Sequence, residues 1–134
     1  MNPVIVFPDV ESVVVGWLTD VLPGYGITVP VSTRVPNPRP SRFVRLVRTG
    51  GPRQNLVVDG AQLTVESWDD DPVSAASTAG VVRGVLLAAN NVTFPSGEVI
   101  YQVREFSGPA LLPDVSQQPR YTWTVQVHLR GVSL

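Results

Sequence analysis

The spacing of hydrophobic residues changes several times along the chain, and each change marks an element. After Asp9 the apolar positions Val10, Val13, Val14, Trp17, Leu18 and Val21 recur every three or four residues. Glu11, Ser12, Thr19 and Asp20 fall on the opposite side, which is the period of an amphipathic helix. Pro8 and Asp9 give the start signal, with Asp9 as N-cap, and Leu22-Pro23-Gly24 gives the stop. Valine is a poor helix former, so this helix depends on packing. Burying that stripe contributes about 10 kcal/mol gross and requires a sheet to receive it.

The spacing then shortens. Ile27 to Val31 reads as a short strand, followed by an extended loop through Val35-Pro36-Asn37-Pro38-Arg39-Pro40. Ser41 to Thr49 reads as a second strand, Gly50-Gly51-Pro52 as a turn, and Gln62 to Trp68 as a third strand in a hairpin with a wide tip. Asp69, Asp70 and Asp71 then supply carboxylates at the start of a second helix, with Pro72 at its first position. Ala76, Gly80, Val81, Gly84, Val85 and Ala88 form a stripe of small residues on it. The favoured reading is close packing on the chain's own sheet; the alternative is a tight contact between subunits.

Two strands finish the chain. Glu98 to Phe106 is one, and Arg120 to Arg130 is the other, with the clearest period of two in the sequence. Tyr121, Trp123, Val125, Val127 and Leu129 share its apolar face. Thr122, Thr124, Gln126, His128 and Arg130 share the polar face, which meets water or a partner. Ser107 to Pro119 lies between these strands as an aperiodic, proline-containing loop, a type of segment that often carries function. The expectation is one α+β domain over residues 1–134. A mixed or antiparallel sheet of about five strands would carry two helices on one face.

Composition narrows the function. The chain is 43% hydrophobic and 16% charged, so it has a core to bury. No apolar run reaches the ~20 residues of a membrane span. Its start, MNPVIVFPDVES, lacks a basic segment followed by an apolar stretch, so the expected location is the cytoplasm that made it. Without cysteine there are no disulfides, thiolate metal sites or cysteine nucleophiles. The net charge of -1 argues against a dedicated nucleic-acid binder. Every basic side chain is arginine, which suits protein interfaces and also a GC-rich genome.

No catalytic arrangement emerges. His128 is the only histidine and lies mid-strand on the polar face, where a surface position is expected. Gly50-Gly51 precedes a proline and lacks the Lys-Ser/Thr of a phosphate loop. Asp69 to Asp71 read as solvated helix caps rather than metal ligands. The expectation is therefore no enzyme, no cofactor and no metal.

Charge placement is the remaining signal. Arg34, Arg39, Arg42, Arg45, Arg48 and Arg53 concentrate positive charge in one segment, and Asp69, Asp70 and Asp71 concentrate negative charge in another. Burying Val44 and Leu46 turns Arg45 outward between Phe43 and Val47, an interface-like composition. A solvated surface and a local nucleic-acid patch remain alternative readings.

The stretches VSTRVPNPRPSRFVRLVRTGG and LVVDGAQLTVESWDD, the helix from Pro72, and the ending GPALLPDVSQQPRYTWTVQVHLRG carry a resemblance over nearly the whole chain. Together they resemble the tail terminator proteins of long-tailed, lambda-type bacteriophages, with the nearest likeness to those infecting actinobacteria. The resemblance implies a small α+β virion protein that forms a hexameric ring on the finished tail tube. Such a ring stops polymerisation of the tube protein and faces the head-side connector. Genomic DNA passes through its lumen without specific binding. The family has no enzymatic activity, no cofactor and no membrane. The expected location is the head-proximal end of the tail, and the host cytoplasm during assembly.

A ring needs two different, complementary patches per subunit. Arg42, Arg45, Arg48 and Arg53 are expected to supply one, and Asp69, Asp70 and Asp71 the other, with Arg45 or a neighbour meeting the acidic group of the next subunit. Docking to tube or connector is expected at Pro36, Asn37, Pro38 and Arg39, and at Leu111, Leu112 and Asp114. A head-closure or neck protein of the same virion, and a cellular protein- or DNA-binding module, are the competing readings.

Overall fold

Asp9 caps α1 (Val10–Val21), its carboxylate accepting from the N–H groups of Glu11 and Ser12. The helix buries Val10, Val14 and Leu18 completely and leaves Val13, Trp17 and Val21 half-buried. The three buried side chains contribute about 5–9 kcal/mol gross. A short 3-10 turn, Leu22–Tyr25, then carries the chain onto the sheet.

The computed structural model describes residues 1–134. The fold is α+β, with two helices packed on one face of a six-stranded sheet. The strands are β1 (Ile5–Val6), β2 (Val31–Ser32), β3 (Arg42–Gly50) and β4 (Val58–Asp69), then, after α2 (Pro72–Leu87), β5 (Asn90–Thr93), β6 (Val99–Leu111), β7 (Arg120–Arg130) and β8 (Val132–Ser133). The main sheet runs β2-β3-β4-β7-β6-β5. The β2–β3 pair is parallel and the other neighbours are antiparallel. β1 and β8 form a separate ribbon that joins the two ends of the chain.

The apolar face of β7 is buried as its alternation predicts. Trp123, Val125, Val127 and Leu129 pack with Leu46, Leu63, Val65 and Ile100 beneath the helices. Asp71 caps α2 by accepting from Val73 N–H and Ser74 N–H, and Pro72 occupies the first turn. Ser67 Oγ donates to Ala75 O at 2.9 Å, fastening α2 to β4.

Several boundaries move. The strand expected at Ile27–Val31 is Val31–Ser32, while Pro30 contributes only its carbonyl, which accepts from Val44 N–H at 2.8 Å. β4 begins at Val58 rather than Gln62, so the hairpin tip is shorter than expected. β6 runs on to Leu111, and the expected Ser107–Pro119 loop shrinks to 112–119. Register shifts at Glu105/Ser107 and Ser107/Ala110 break the alternation that would have marked this extension. β5 and the terminal ribbon were not anticipated.

The phase of α2 also differs. Its buried face is Ala75, Ala79, Val82 and Leu86. The expected stripe is displaced from the sheet: Ala76, Val81 and Val85 are half-buried, and Gly80, Gly84 and Ala88 are exposed. Helix burial follows the larger apolar area, and Val82 and Leu86 offer more than glycine.

The hairpin tip between β3 and β4 folds back over the sheet. A Cβ on Gly51, whose φ is +91°, would press on the Gly60 carbonyl and lie 2.7 Å from Gln62 N. Only glycine allows this close backbone approach.

Candidate docking surface

The face of the sheet away from the helices is laid out by register. Across β3, β4 and β7 it carries the rows Phe43–Trp68–Arg120, Arg45–Glu66–Thr122 and Val47–Thr64–Thr124. Further along lie Gln62–Gln126–Arg104 and Gly60–His128–Gln102.

At one end of this face Phe43 and Trp68 stack with centroids 5.0 Å apart, and they are only 1% and 3% exposed. Two arginines lie over Trp68: the guanidinium carbon is 5.8 Å from the ring centroid for Arg39 and 5.2 Å for Arg120. Glu66 lies beneath, accepting from Arg45 Nη1 at 3.0 Å and from Trp68 Nε1 at 3.2 Å. This small second core lies on the face expected to be wet.

The cover over Trp68 joins two segments distant in sequence. Arg39 Nη1 donates to Ser116 Oγ at 3.1 Å and lies 3.6 Å from Asp114 Oδ2. Arg120 Nε donates to Leu112 O at 3.0 Å, Leu112 N–H donates back to Arg120 O at 2.9 Å, and Gln118 Nε2 donates to Ser41 O at 3.1 Å. Hydrogen bonds from Ser116, with smaller help from Arg120, hold the Asp114 carboxyl below its ordinary value. Arg39 thus shares one platform with Leu112 and Asp114; Pro36, Asn37 and Pro38 precede it outside any strand, and Leu111 ends the adjoining strand opposite Tyr121, on the helix side of the sheet. Leu112 and Val115 are exposed on the platform, Val115 at 97%. Ion pairs from Arg39 and Arg120 to Asp114 lie beside these exposed aliphatic tips, a mixture of apolar and arginine side chains of the kind found at protein contacts.

Most of the charged residues expected at a subunit interface make contacts within the chain. Arg45 pairs with Glu66 of its own chain. Arg42 lies 3.5 Å from Asp69. Arg48 makes a two-pronged contact with Asp59, at 2.8 and 3.2 Å. Asp69 also accepts from Asp71 N–H at 3.0 Å, and Asp71 caps α2, its carboxyl held low first by Ser74 and then by Val73. Arg53 and Asp70 remain exposed and outside any ion pair. The acceptors Asp59 and Glu66 carry no sequence signal of their own: the β3–β4 register brings Glu66 opposite Arg45, and Asp59 meets Arg48 through side-chain reach, since Arg48 is opposite Leu63.

His128 lies on the polar face as expected but is buried rather than exposed. Its Nε2 is 3.0 Å from Gln126 Oε1 and its Nδ1 is 3.0 Å from Gln102 Nε2. Only a neutral ring with the proton on Nε2 satisfies both amides. Burial first, and then Arg104, hold its pKa below 6.5. No group of three or more His, Asp or Glu side chains is placed to hold a metal ion, and no helix is long and apolar enough to cross a membrane. The sequence matches no protein-family model, and no curated protein matches it.

Proposed function

We propose that this chain is a structural tail protein of a long-tailed bacteriophage. It caps the tail tube as a ring of six copies, ends tube polymerisation and forms the tail side of the head–tail joint. The reading starts from the sequence resemblance, and the α+β fold agrees with it. The observation that carries it is the platform over Trp68, where Leu112 and Val115 stand exposed beside the Arg39 and Arg120 contacts to Asp114 and the Leu112 backbone. In this reading the platform meets the tail tube protein, another surface meets the head-side connector, and neither catalysis nor a cofactor is involved. A near-neutral subunit suits a DNA conduit, because tight phosphate binding would slow passage.

The test uses the tube protein encoded in the same genome, polymerised with and without this chain and viewed by electron microscopy. A ring at one end of arrested tubes is the expected result. Tubes that grow unchanged while the chain binds only portal-connector complexes would make it a neck protein instead. Tight, steeply salt-dependent DNA binding without either contact would point to a nucleic-acid module.

A further inference from the structure

The ion pairs absorb Arg39, Arg42, Arg45, Arg48, Arg83 and Arg120 and leave Arg34, Arg53, Arg104 and Arg130 outside any ion pair. Asp9, Glu11, Asp20 and Glu98 form no ion pair, and they line two depressions that share Ser12 and Gly16 on the exposed side of α1. No arginine lines either depression. The narrower one, about 230 Å³, is walled by Trp17 and Phe94, which meet edge to face at 6.4 Å. That volume falls below the ~300–1,000 Å³ of sites for drug-sized ligands and suits a side chain. Aromatic rings beside Asp20 and Glu98 offer a guanidinium both a stacking surface and carboxylate acceptors.

The matching group is on the other side of the sheet. Arg104 and Arg130 project from the outer face, exposed and outside any ion pair. We propose that a second copy of this chain docks head to tail, seating Arg104 or Arg130 of its outer face in the socket between Trp17, Asp20, Phe94 and Glu98. This contact rests on the ring reading and names the surfaces that join its copies. It is heterologous, as a ring requires.

Sedimentation of the full chain tests it directly. Wild-type self-association should weaken at least tenfold between about 50 and about 500 mM salt, because screening acts on exposed pairs. Asp20→Lys with Glu98→Lys should give a folded monomer, and so should Arg104→Glu with Arg130→Glu, with circular dichroism reporting the fold. Mixing the two variants should restore association, since each then offers the charge that the other lacks. Association that neither variant weakens would overturn the proposal, as would two monomeric variants that stay apart when mixed. A wild type that stays monomeric would overturn it too and leave the socket to an arginine of another protein. Arrest of tail tubes is a separate readout, so the ring reading can survive a failure of this contact.

Discussion

Glu66 holds the outer face together through a single carboxylate. It is 7% exposed and serves Arg45 and Trp68 directly, with Arg120 at 3.8 Å. Removing it leaves these donors short of an acceptor over a stacked aromatic pair. Glu66→Ala should therefore cost about 2–4 kcal/mol in urea unfolding, since Arg45 keeps partial access to water. A cost near zero would mean that water replaces the carboxylate. His128 gives a pH-dependent counterpart. In the unfolded chain it takes up a proton near its ordinary 6.5, whereas the folded site resists protonation. Its contribution is complete above that pH and is lost as the pH falls toward the lower folded value. Melting temperatures of wild type and His128→Gln should therefore diverge at pH 7 and converge on acidification to about pH 5. Parallel profiles would show that the folded ring protonates freely.

At the scale of elements, α2 presents Gly80, Gly84 and Ala88 to solvent, and a Cβ on either glycine meets nothing within 4 Å. Gly80→Ala and Gly84→Ala should each stabilise the isolated chain by about 0.5–1 kcal/mol, read from urea midpoints. Destabilisation would mean that the face is covered. This helix also shows where sequence reading stops. PVSAASTAGVVRGVLL is apolar or small around most of its circumference, so its start was legible from Asp71 and Pro72 but its buried face was not. β7 was legible from end to end because its alternation is unbroken. β6 was half legible, since its register shifts abolish the period of two beyond Glu105. The two segments expected to dock were marked by their prolines, but their meeting over Trp68 depends on contacts such as Arg39 to Ser116, which no local pattern reveals.

For the whole molecule, the arginine-rich segment is mostly an internal brace. Arg42, Arg45 and Arg48 tie β3 to β4, so the positive charge visible in the sequence is largely neutralised within the fold. What remains outward is an apolar platform at one end of the outer face, arginines at the other, and carboxylates around α1. In the proposed ring the platform meets the tube and the other two surfaces meet a sister copy on each side. The platform carries the central claim, and Leu112 and Val115 are exposed enough for substitution without loss of fold. The deciding measurement is the length distribution of tail tubes grown with wild type or with Leu112→Asp/Val115→Asp. Wild type should arrest growth and the folded variant should let tubes elongate as if nothing had been added; equal arrest by both would contradict the account.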